Sequence, residues 1–86
     1  MKVIFQKSFI KMAQKLSPKV KQKMSERIEL FADDPLNSQL RTQTLYTPYK
    51  GSYSIDITGD YRAIYQLVDD ETALFTHFGT HSQLYR

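Results

Sequence analysis

The chain has 86 residues, of which 41% are hydrophobic and 24% charged, and its formal net charge is +3. This composition is ordinary for a folded protein, and the length allows one hydrophobic core, so we predict a single domain spanning residues 1–86. The absence of cysteine excludes disulfides and thiolate metal sites. The opening apolar run is too short for a signal peptide or a membrane span, and we expect a cytoplasmic protein.

Basic residues are concentrated in the first half of the chain. Residues 1–41 hold nine basic and four acidic residues, a net charge of +5, whereas residues 42–86 hold three basic and five acidic residues, a net charge of −2. A basic surface attracts a polyanion such as RNA or an acidic protein partner. A solvated lysine face that favours solubility explains the same charge. Charge alone therefore leaves both interpretations open.

The first half of the sequence predicts one strand and two helices. Residues 3–5 form a short apolar strand. The helix that follows is capped by Ser8, and its apolar residues recur at helical spacing: Phe9, Met12, Ala13 and Leu16. Ser17 and Pro18 then mark a second helix over residues 18–32, because serine accepts a backbone N–H and proline fits the first helical position.

The second half predicts strands. Residues 36–51 are irregular and indicate a loop with a short helical turn or strand, while residues 53–58, 61–68 and 73–78 have β patterns. The order β-α-α-β-β-β predicts an α+β fold. Two N-terminal helices cover one face of a mainly antiparallel four-stranded sheet, with the first strand at an edge or beside the last.

The predicted pairing of the last two strands brings chemical groups together. A turn at residues 70–71 places Arg62 opposite Gly79, because opposed residues project from the same face. The other predicted pairs are Val68 with Ala73, Gln66 with Phe75 and Ile64 with His77. Arg62, His77 and His81 then share one face of the sheet.

These residue types suit the cleavage of RNA without a metal. The reaction requires deprotonation of a 2′-hydroxyl, stabilisation of phosphate charge and protonation of the leaving 5′-oxygen. Arg62 offers paired donors to a phosphate, His81 can move protons near neutral pH, and Tyr85 could stack on a base or assist proton transfer.

Simpler interpretations stand beside these roles. Arg62 is explained equally well by a rim salt bridge with Asp60 or Asp56. His81 is explained by an exposed histidine without a task, and Tyr85 by an aromatic residue at the core edge. We interpret His77 as structural, and Lys50 is by default a solvated lysine.

Metal and nucleotide sites are not indicated. His77 and His81 lie four residues apart, but on a strand and its exit, and no cysteine or carboxylate pair completes a zinc site. The sequence has no glycine-rich phosphate loop. We therefore predict no metal and no cofactor.

Two segments carry a family resemblance: Gly-Asp-Tyr-Arg-Ala-Ile-Tyr at residues 59–65 and Phe-Gly-Thr-His-Ser-Gln-Leu-Tyr at residues 78–85. Together they resemble the RelE/ParE toxin superfamily, and more narrowly the YafQ-like and RelE/StbE-type mRNA interferases of bacterial type II toxin–antitoxin systems. The resemblance implies a metal-independent endoribonuclease that cuts mRNA, usually in the ribosomal A site. The products carry a 2′,3′-cyclic phosphate and a 5′-hydroxyl. It also implies a cognate antitoxin that wraps the toxin.

The resemblance assigns roles residue by residue. The family's strand arginine falls on Arg62, its catalytic histidine on His81 and its terminal aromatic on Tyr85. Asp60 matches a position used for activity in some members, and Lys50 lies near a basic position of the family. Our accompanying hypothesis is that the lysine-rich helices contact RNA phosphates, through residues such as Lys11 and Lys15.

Two departures define the alternatives. Relatives often carry a histidine where this chain has Gln43, so His81 or Asp60 must serve as the base, or activity is lower. The ParE branch shares the fold but poisons DNA gyrase, and it generally lacks the histidine ending. The alternatives to a ribonuclease are thus a gyrase-binding toxin without nuclease activity, or a catalytically inactive relative.

Overall fold

The computed structural model describes residues 1–85, so Arg86, the last residue of the predicted domain, lies outside the described residues. The element order of the described residues confirms the α+β class and adds one strand and two short helices to the predicted order. In chain order the elements are β1 (Lys2–Phe5), α1 (Lys7–Gln14), α2 (Pro18–Asp33), a 3-10 helix (Ser38–Leu40), β2 (Gln43–Thr44), β3 (Tyr53–Asp56), β4 (Tyr61–Asp69), β5 (Thr72–Thr80) and α3 (His81–Leu84).

The five strands form one sheet in the order β1-β5-β4-β3-β2. β1 runs parallel to β5 at one edge, as expected for a first strand beside the last, and the other neighbours are antiparallel. The predicted count of four strands is wrong because β2 adds a two-residue strand at the other edge. It pairs Gln43 with Ser54 and Thr44 with Tyr53.

The helix starts differ from each other in their chemistry. Ser17 caps α2 as predicted, since its side chain accepts from the Val20 N–H at 3.4 Å. The prediction that Ser8 caps α1 is wrong, because Gln6 is the N-cap residue and offers no side-chain hydrogen bond. The Ser8 hydroxyl instead donates to the Thr76 carbonyl at 2.9 Å and ties α1 to β5.

The main core lies between the two long helices and one face of the sheet. Phe9 of α1 contacts Phe75 and Phe78 of β5 edge-on, with ring centroids 5.7 Å apart in each pair. Phe31 of α2 packs against Tyr65 of β4 at 4.7 Å and is fully buried. The opposite face of the sheet is left uncovered by α1 and α2.

At the end of the β4–β5 hairpin that carries Arg62, the strands pair as predicted. In the middle of the hairpin, the pairing is shifted by one residue. Arg62 lies opposite Gly79 and Ile64 opposite His77, as expected. Two irregularities leave Thr76 of β5 and Val68 of β4 without partners, so the predicted pairs of Gln66 with Phe75 and of Val68 with Ala73 are wrong. The observed pairs there are Tyr65 with Phe75, Gln66 with Leu74 and Leu67 with Ala73.

The helices in the described part of the chain can be compared with a membrane span by their length and apolarity. None of the helices within residues 1–85 combines the length and apolarity needed to cross a membrane.

Candidate functional site

A second, smaller apolar cluster lies on the sheet face that α1 and α2 leave uncovered. Its buried members are Leu45, Ile64 and Leu84, and Tyr49 and Tyr85 pack against them. The loop between β2 and β3 and the helix α3 therefore cover one end of this face. Arg62 lies on the same face, two residues from Ile64 on β4.

The side chain of Arg62 is held in place by its neighbours in the sheet. Arg62 pairs with Asp56 of β3, and its Nε lies 3.4 Å from Asp56 Oδ1. Its Nη1 also donates to the Asp60 carbonyl at a long 3.5 Å. The ion pair weighed from the sequence thus exists with Asp56, but it occupies only one part of a fork that has five N–H donors.

The short helix α3 follows β5 directly and positions two of the predicted residues, His81 and Tyr85. Thr80 caps it in a reciprocal box with Gln83: Thr80 Oγ1 accepts from the Gln83 N–H at 3.2 Å, and the Thr80 N–H donates to Gln83 Oε1 at 2.9 Å. His81 is the first helical residue and is exposed, whereas Tyr85 follows the helix and is half-buried. The chain therefore turns over the sheet after Thr80, where β5 ends and α3 begins.

A line of aromatic rings connects the two histidines across the site. The ring centroids are 5.1 Å apart for His77 and Tyr49, 5.6 Å for Tyr49 and Tyr85, and 4.8 Å for Tyr85 and His81. The Tyr49 hydroxyl donates to the Leu84 carbonyl at 2.8 Å and anchors the end of α3. His77 is held by a 2.9 Å contact between its Nδ1 and Thr76 Oγ1.

Tyr85 lies within the electrostatic influence of Arg62. Burial raises the pKa of the Tyr85 phenol, the neighbouring Tyr49 raises it further, and the positive charge of Arg62 acts in the opposite direction. The phenol consequently stays protonated at neutral pH and acts as a hydrogen-bond donor. Tyr85 is therefore in ring contact with His81 and near enough to Arg62 to respond to its charge, while the roles of the three residues stay predictions.

The remaining predicted residues are more dispersed. Asp60 is exposed in the turn before β4, and its backbone carbonyl, not its carboxylate, contacts Arg62. Lys50 lines a cleft beside Tyr49 and His77. Lys15 lies next to Gln83 at the end of the sheet, whereas Lys11 is exposed on α1, which packs against the opposite face.

Two contributors were missed by the sequence reasoning. Tyr49 holds α3 through its hydroxyl and touches both Tyr85 and His77. Arg41 reaches the site from the edge of the sheet, with its Nε 3.6 Å from Asp56 Oδ2. Both lie in or beside the irregular segment 36–51, where no periodic pattern signals which side chains point toward the sheet.

Metal ligation has no cluster to support it among residues 1–85. No three side chains of His, Cys, Asp or Glu come together there as a group that could hold a metal ion.

Comparison with known proteins places this chain in a toxin family. The family model described as the ParE toxin of the type II toxin–antitoxin system parDE matches residues 3–85. The chain therefore belongs to this family, and the resemblance to the RelE/ParE toxin superfamily is confirmed. It is a toxin of the type II toxin–antitoxin class. No curated protein matches the chain by sequence.

Solved structures of related toxins share the fold over almost their whole length. YafQ from E. coli strain BL21(DE3) is 24% identical, with a TM-score of 0.75 over 98% of this chain and 97% of that one. The YoeB/ParE toxin from Agrobacterium tumefaciens is 18% identical, with a TM-score of 0.76 over 94% and 99%. The E. coli DinJ–YafQ toxin–antitoxin complex matches at 23% identity and a TM-score of 0.73, over 98% and 96%.

Proposed function

We propose that this toxin is an endoribonuclease that cuts mRNA on the ribosome, in the cytoplasm, without a metal. The single domain 1–86 carries the whole site. The observation that supports this proposal is the convergence of Arg62 and His81 on Tyr85, over the sheet face that α1 and α2 leave uncovered. A guanidinium can stabilise the phosphate charge, and an imidazole and a phenol can transfer or donate protons, as RNA cleavage without a metal requires.

The proposed reaction begins with attack of the 2′-oxygen on the adjacent phosphorus. The 2′-hydroxyl loses its proton to a base, the P–O5′ bond breaks, and the 5′-oxygen receives a proton. The products are a 2′,3′-cyclic phosphate and a 5′-hydroxyl. Arg62 stabilises the charge that develops on the phosphate, which is usually the largest contribution to such catalysis.

Proton transfer is assigned to His81, with Asp60 as the second group. His81 is exposed and therefore accessible to RNA. The Asp60 carboxylate is exposed and has no hydrogen-bond or ion-pair partner within residues 1–85, so RNA can reach it. Tyr85 orients the substrate through its protonated hydroxyl and its ring, and Gln43 cannot act as a base because its amide does not titrate.

The substrate surface extends beyond these residues. Lys50, beside Tyr49 and His77, contacts a neighbouring phosphate, and Lys15 extends the positive surface past α3. Lys11 belongs to the opposite side of the molecule and contacts ribosomal RNA. These contacts supply affinity without reading sequence.

We also propose that a cognate antitoxin protein binds this chain and blocks the site. E. coli YafQ is seen with DinJ in a toxin–antitoxin complex. A partner that binds only the folded toxin also adds stability by mass action, which suits a chain with a small core.

The proposal is tested by induced expression in a bacterial host. The wild-type chain is compared with Arg62→Ala and His81→Ala at matched protein levels. The control is Lys2→Ala, an exposed residue of β1 that pairs with Thr72, at the other end of β5 from Gly79. We expect growth to stop and mRNA fragments with 5′-hydroxyl ends to appear for the wild type and for Lys2→Ala only. Mapping of 5′ ends with and without translation inhibitors tests the ribosome dependence.

A second function is favoured by one observation, namely that the matching family model is that of the ParE toxin. Growth arrest with gyrase-linked DNA damage and intact mRNA would establish a gyrase-binding toxin. Absence of both effects at a confirmed protein level would identify a catalytically inactive member.

The close packing of α3 on Gly79 gives a further prediction. A Cβ at Gly79 would lie 2.9 Å from Gln83 Oε1 and 3.3 Å from its Cβ, so Gly79→Ala displaces the residue that closes the capping box. We expect the cleavage rate to fall about 10- to 100-fold, because small displacements of catalytic groups are costly. Stability should change by less than about 1 kcal/mol, since alanine is favoured over glycine in a strand.

Single-turnover cleavage and urea denaturation check this prediction. Gly59→Ala is the matched control, because a Cβ there meets nothing within 4 Å. Equal rates for the two variants would show that α3 does not depend on close approach at Gly79.

A further inference from the structure

Two arginines share one carboxylate at the edge of the site. Arg62 Nε lies 3.4 Å from Asp56 Oδ1, and Arg41 Nε lies 3.6 Å from Asp56 Oδ2. We propose that Arg41 and Arg62 form a two-arginine clamp for RNA, in which Arg41 binds the phosphate next to the scissile one. Asp56 is the positioning residue between them. This inference rests on the proposed ribonuclease function.

The pairing of the strands explains how Arg41 comes to the site. β2 pairs Gln43 with Ser54, which brings the preceding Arg41 beside the end of β3, where its Nε contacts Asp56. Asp56 in turn pairs with Arg62, which pairs with Gly79. Arg41 and Arg62 therefore approach the same carboxylate, one on each of its oxygens.

The backbone conformation of Arg41 does not itself favour an arginine at this position. Arg41 ends the 3-10 helix with φ 50° and ψ 49°, a left-handed conformation that glycine and asparagine adopt more readily. Strained positions of this kind are enriched at functional sites. An arginine at a position that suits glycine or asparagine is thus explained by what its guanidinium binds.

The charges leave this cluster ready for an anion. Two guanidinium groups and one carboxylate give a local net charge of +1. The side chain of Arg41 is 76% exposed, and its terminal amino groups have no partner in the described part of the chain. An exposed ion pair contributes little to stability, so Arg41 can turn its paired donors to a phosphate without loss to the fold.

The order of the residues assigns the two phosphates. Arg62 lies on the side of Asp56 that faces Tyr85 and His81, where the bond is cut. Arg41 lies on the other side, toward the sheet edge formed by β2. The strand of RNA then runs across β4 and β3, and the clamp fixes its position relative to His81.

Arg41→Asn is the first test, because asparagine tolerates the left-handed backbone and removes the charge. The probe is a short single-stranded RNA in which every 2′-hydroxyl is methylated, so that it binds but cannot be cut. We expect the Kd at low salt to rise about 5- to 10-fold and the slope of log K against log salt to fall by about 0.7, which corresponds to one phosphate contact on a single strand.

Two variants control this result. Arg41→Lys keeps the charge and should restore the salt slope. Lys2→Asn removes an exposed charge on β1, where Lys2 pairs with Thr72 far from Asp56, and should leave the slope near wild type. Asp56→Asn separates positioning from folding: the local charge rises to +2, so RNA binds more tightly, while kcat falls because Arg62 loses its anchor. A purely structural role for Asp56 would weaken binding and turnover together.

The outcomes for the clamp and for the proposed function are distinct. If the wild type cuts or binds RNA but Arg41→Asn has the same Kd and salt slope, the clamp is overturned and the ribonuclease stands. If the wild type neither cuts nor binds RNA, the proposed function fails and the clamp fails with it. A wild type that binds without cutting still tests the clamp through the salt slope.

Discussion

Arg62→Lys is expected to lower the kcat of RNA cleavage by about 100-fold or more, which corresponds to about 2.7 kcal/mol of transition-state stabilisation. Lysine keeps the positive charge, so the Kd of a noncleavable RNA should change little. It loses the contact of Nε with Asp56 and that of Nη1 with the Asp60 carbonyl, and with them the fixed fork. Catalysis depends on paired donors at the place where charge develops, and a mobile ammonium does not supply them.

Single-turnover kinetics and binding by the same preparation check this split between kcat and Kd. Arg27→Lys is the matched control, because it makes the same exchange on α2, where the guanidinium donates to the Gln39 carbonyl at 3.4 Å. A wild-type rate for Arg62→Lys would contradict the role of the fork. An equal loss in binding and in rate would reduce Arg62 to a binding residue.

The prediction that Arg62 lies opposite Gly79 was right although the middle of the same hairpin was not. Thr76 on β5 and Val68 on β4 are both left without partners, and because they lie on opposite strands their one-residue shifts cancel. The turn and the functional end therefore keep one register, while the pairs between them keep another. Alternation in the sequence identifies the strands but contains no signal for such bulges.

The parts of the site that lie outside regular strands could not be predicted in the same way. Arg41 meets Asp56 only because β2, a strand of two residues, docks on β3. Tyr49 reaches Leu84 across 35 residues of sequence, through a loop in which Gly51 adopts a positive φ of 88°. These contacts form only when the irregular segment packs against the sheet, so the local sequence pattern does not predict them.

The wrong prediction for Ser8 has another cause, because a tertiary hydrogen bond competes with the local capping bond. Serine near a helix start predicts a cap, and the same residue type does cap α2 at Ser17. In α1 the hydroxyl of Ser8 is within reach of the Thr76 carbonyl on β5 and donates there instead. A hydrogen bond between elements thus replaced a local one.

Membership of the ParE family does not decide between the two activities, because the fold is shared and the chemistry lies in the side chains. A toxin that acts only by binding needs no group that transfers protons. The ion pair of Arg62 with Asp56 fits either activity, whereas an exposed imidazole against the Tyr85 ring fits proton transfer. The arrangement of Arg62, Tyr85 and His81 is therefore the reason to test RNA cleavage first.

His81→Ala is expected to lower kcat about 100- to 10,000-fold, the usual contribution of a general acid or base. The free energy of unfolding should hardly change, because His81 is exposed and the cap of α3 is made by Thr80 and Gln83. His81→Phe keeps a ring against Tyr85, whose centroid lies 4.8 Å from that of His81 in the wild type. Equal losses in the two variants would assign the effect to proton transfer, and recovery in His81→Phe would assign it to packing.

The direction of that proton transfer can be read from the leaving group. An RNA with sulfur in place of the scissile 5′-oxygen needs no general acid, because a thiol has a pKa of about 8.5 and leaves readily as thiolate. If His81 protonates the 5′-oxygen, His81→Ala should cut the sulfur substrate at nearly the wild-type rate, and Asp60→Asn should stay slow on it. If His81 instead accepts the proton of the 2′-hydroxyl, the two variants exchange behaviour. Slow cleavage of the sulfur substrate by both variants would contradict a role for either residue as the acid.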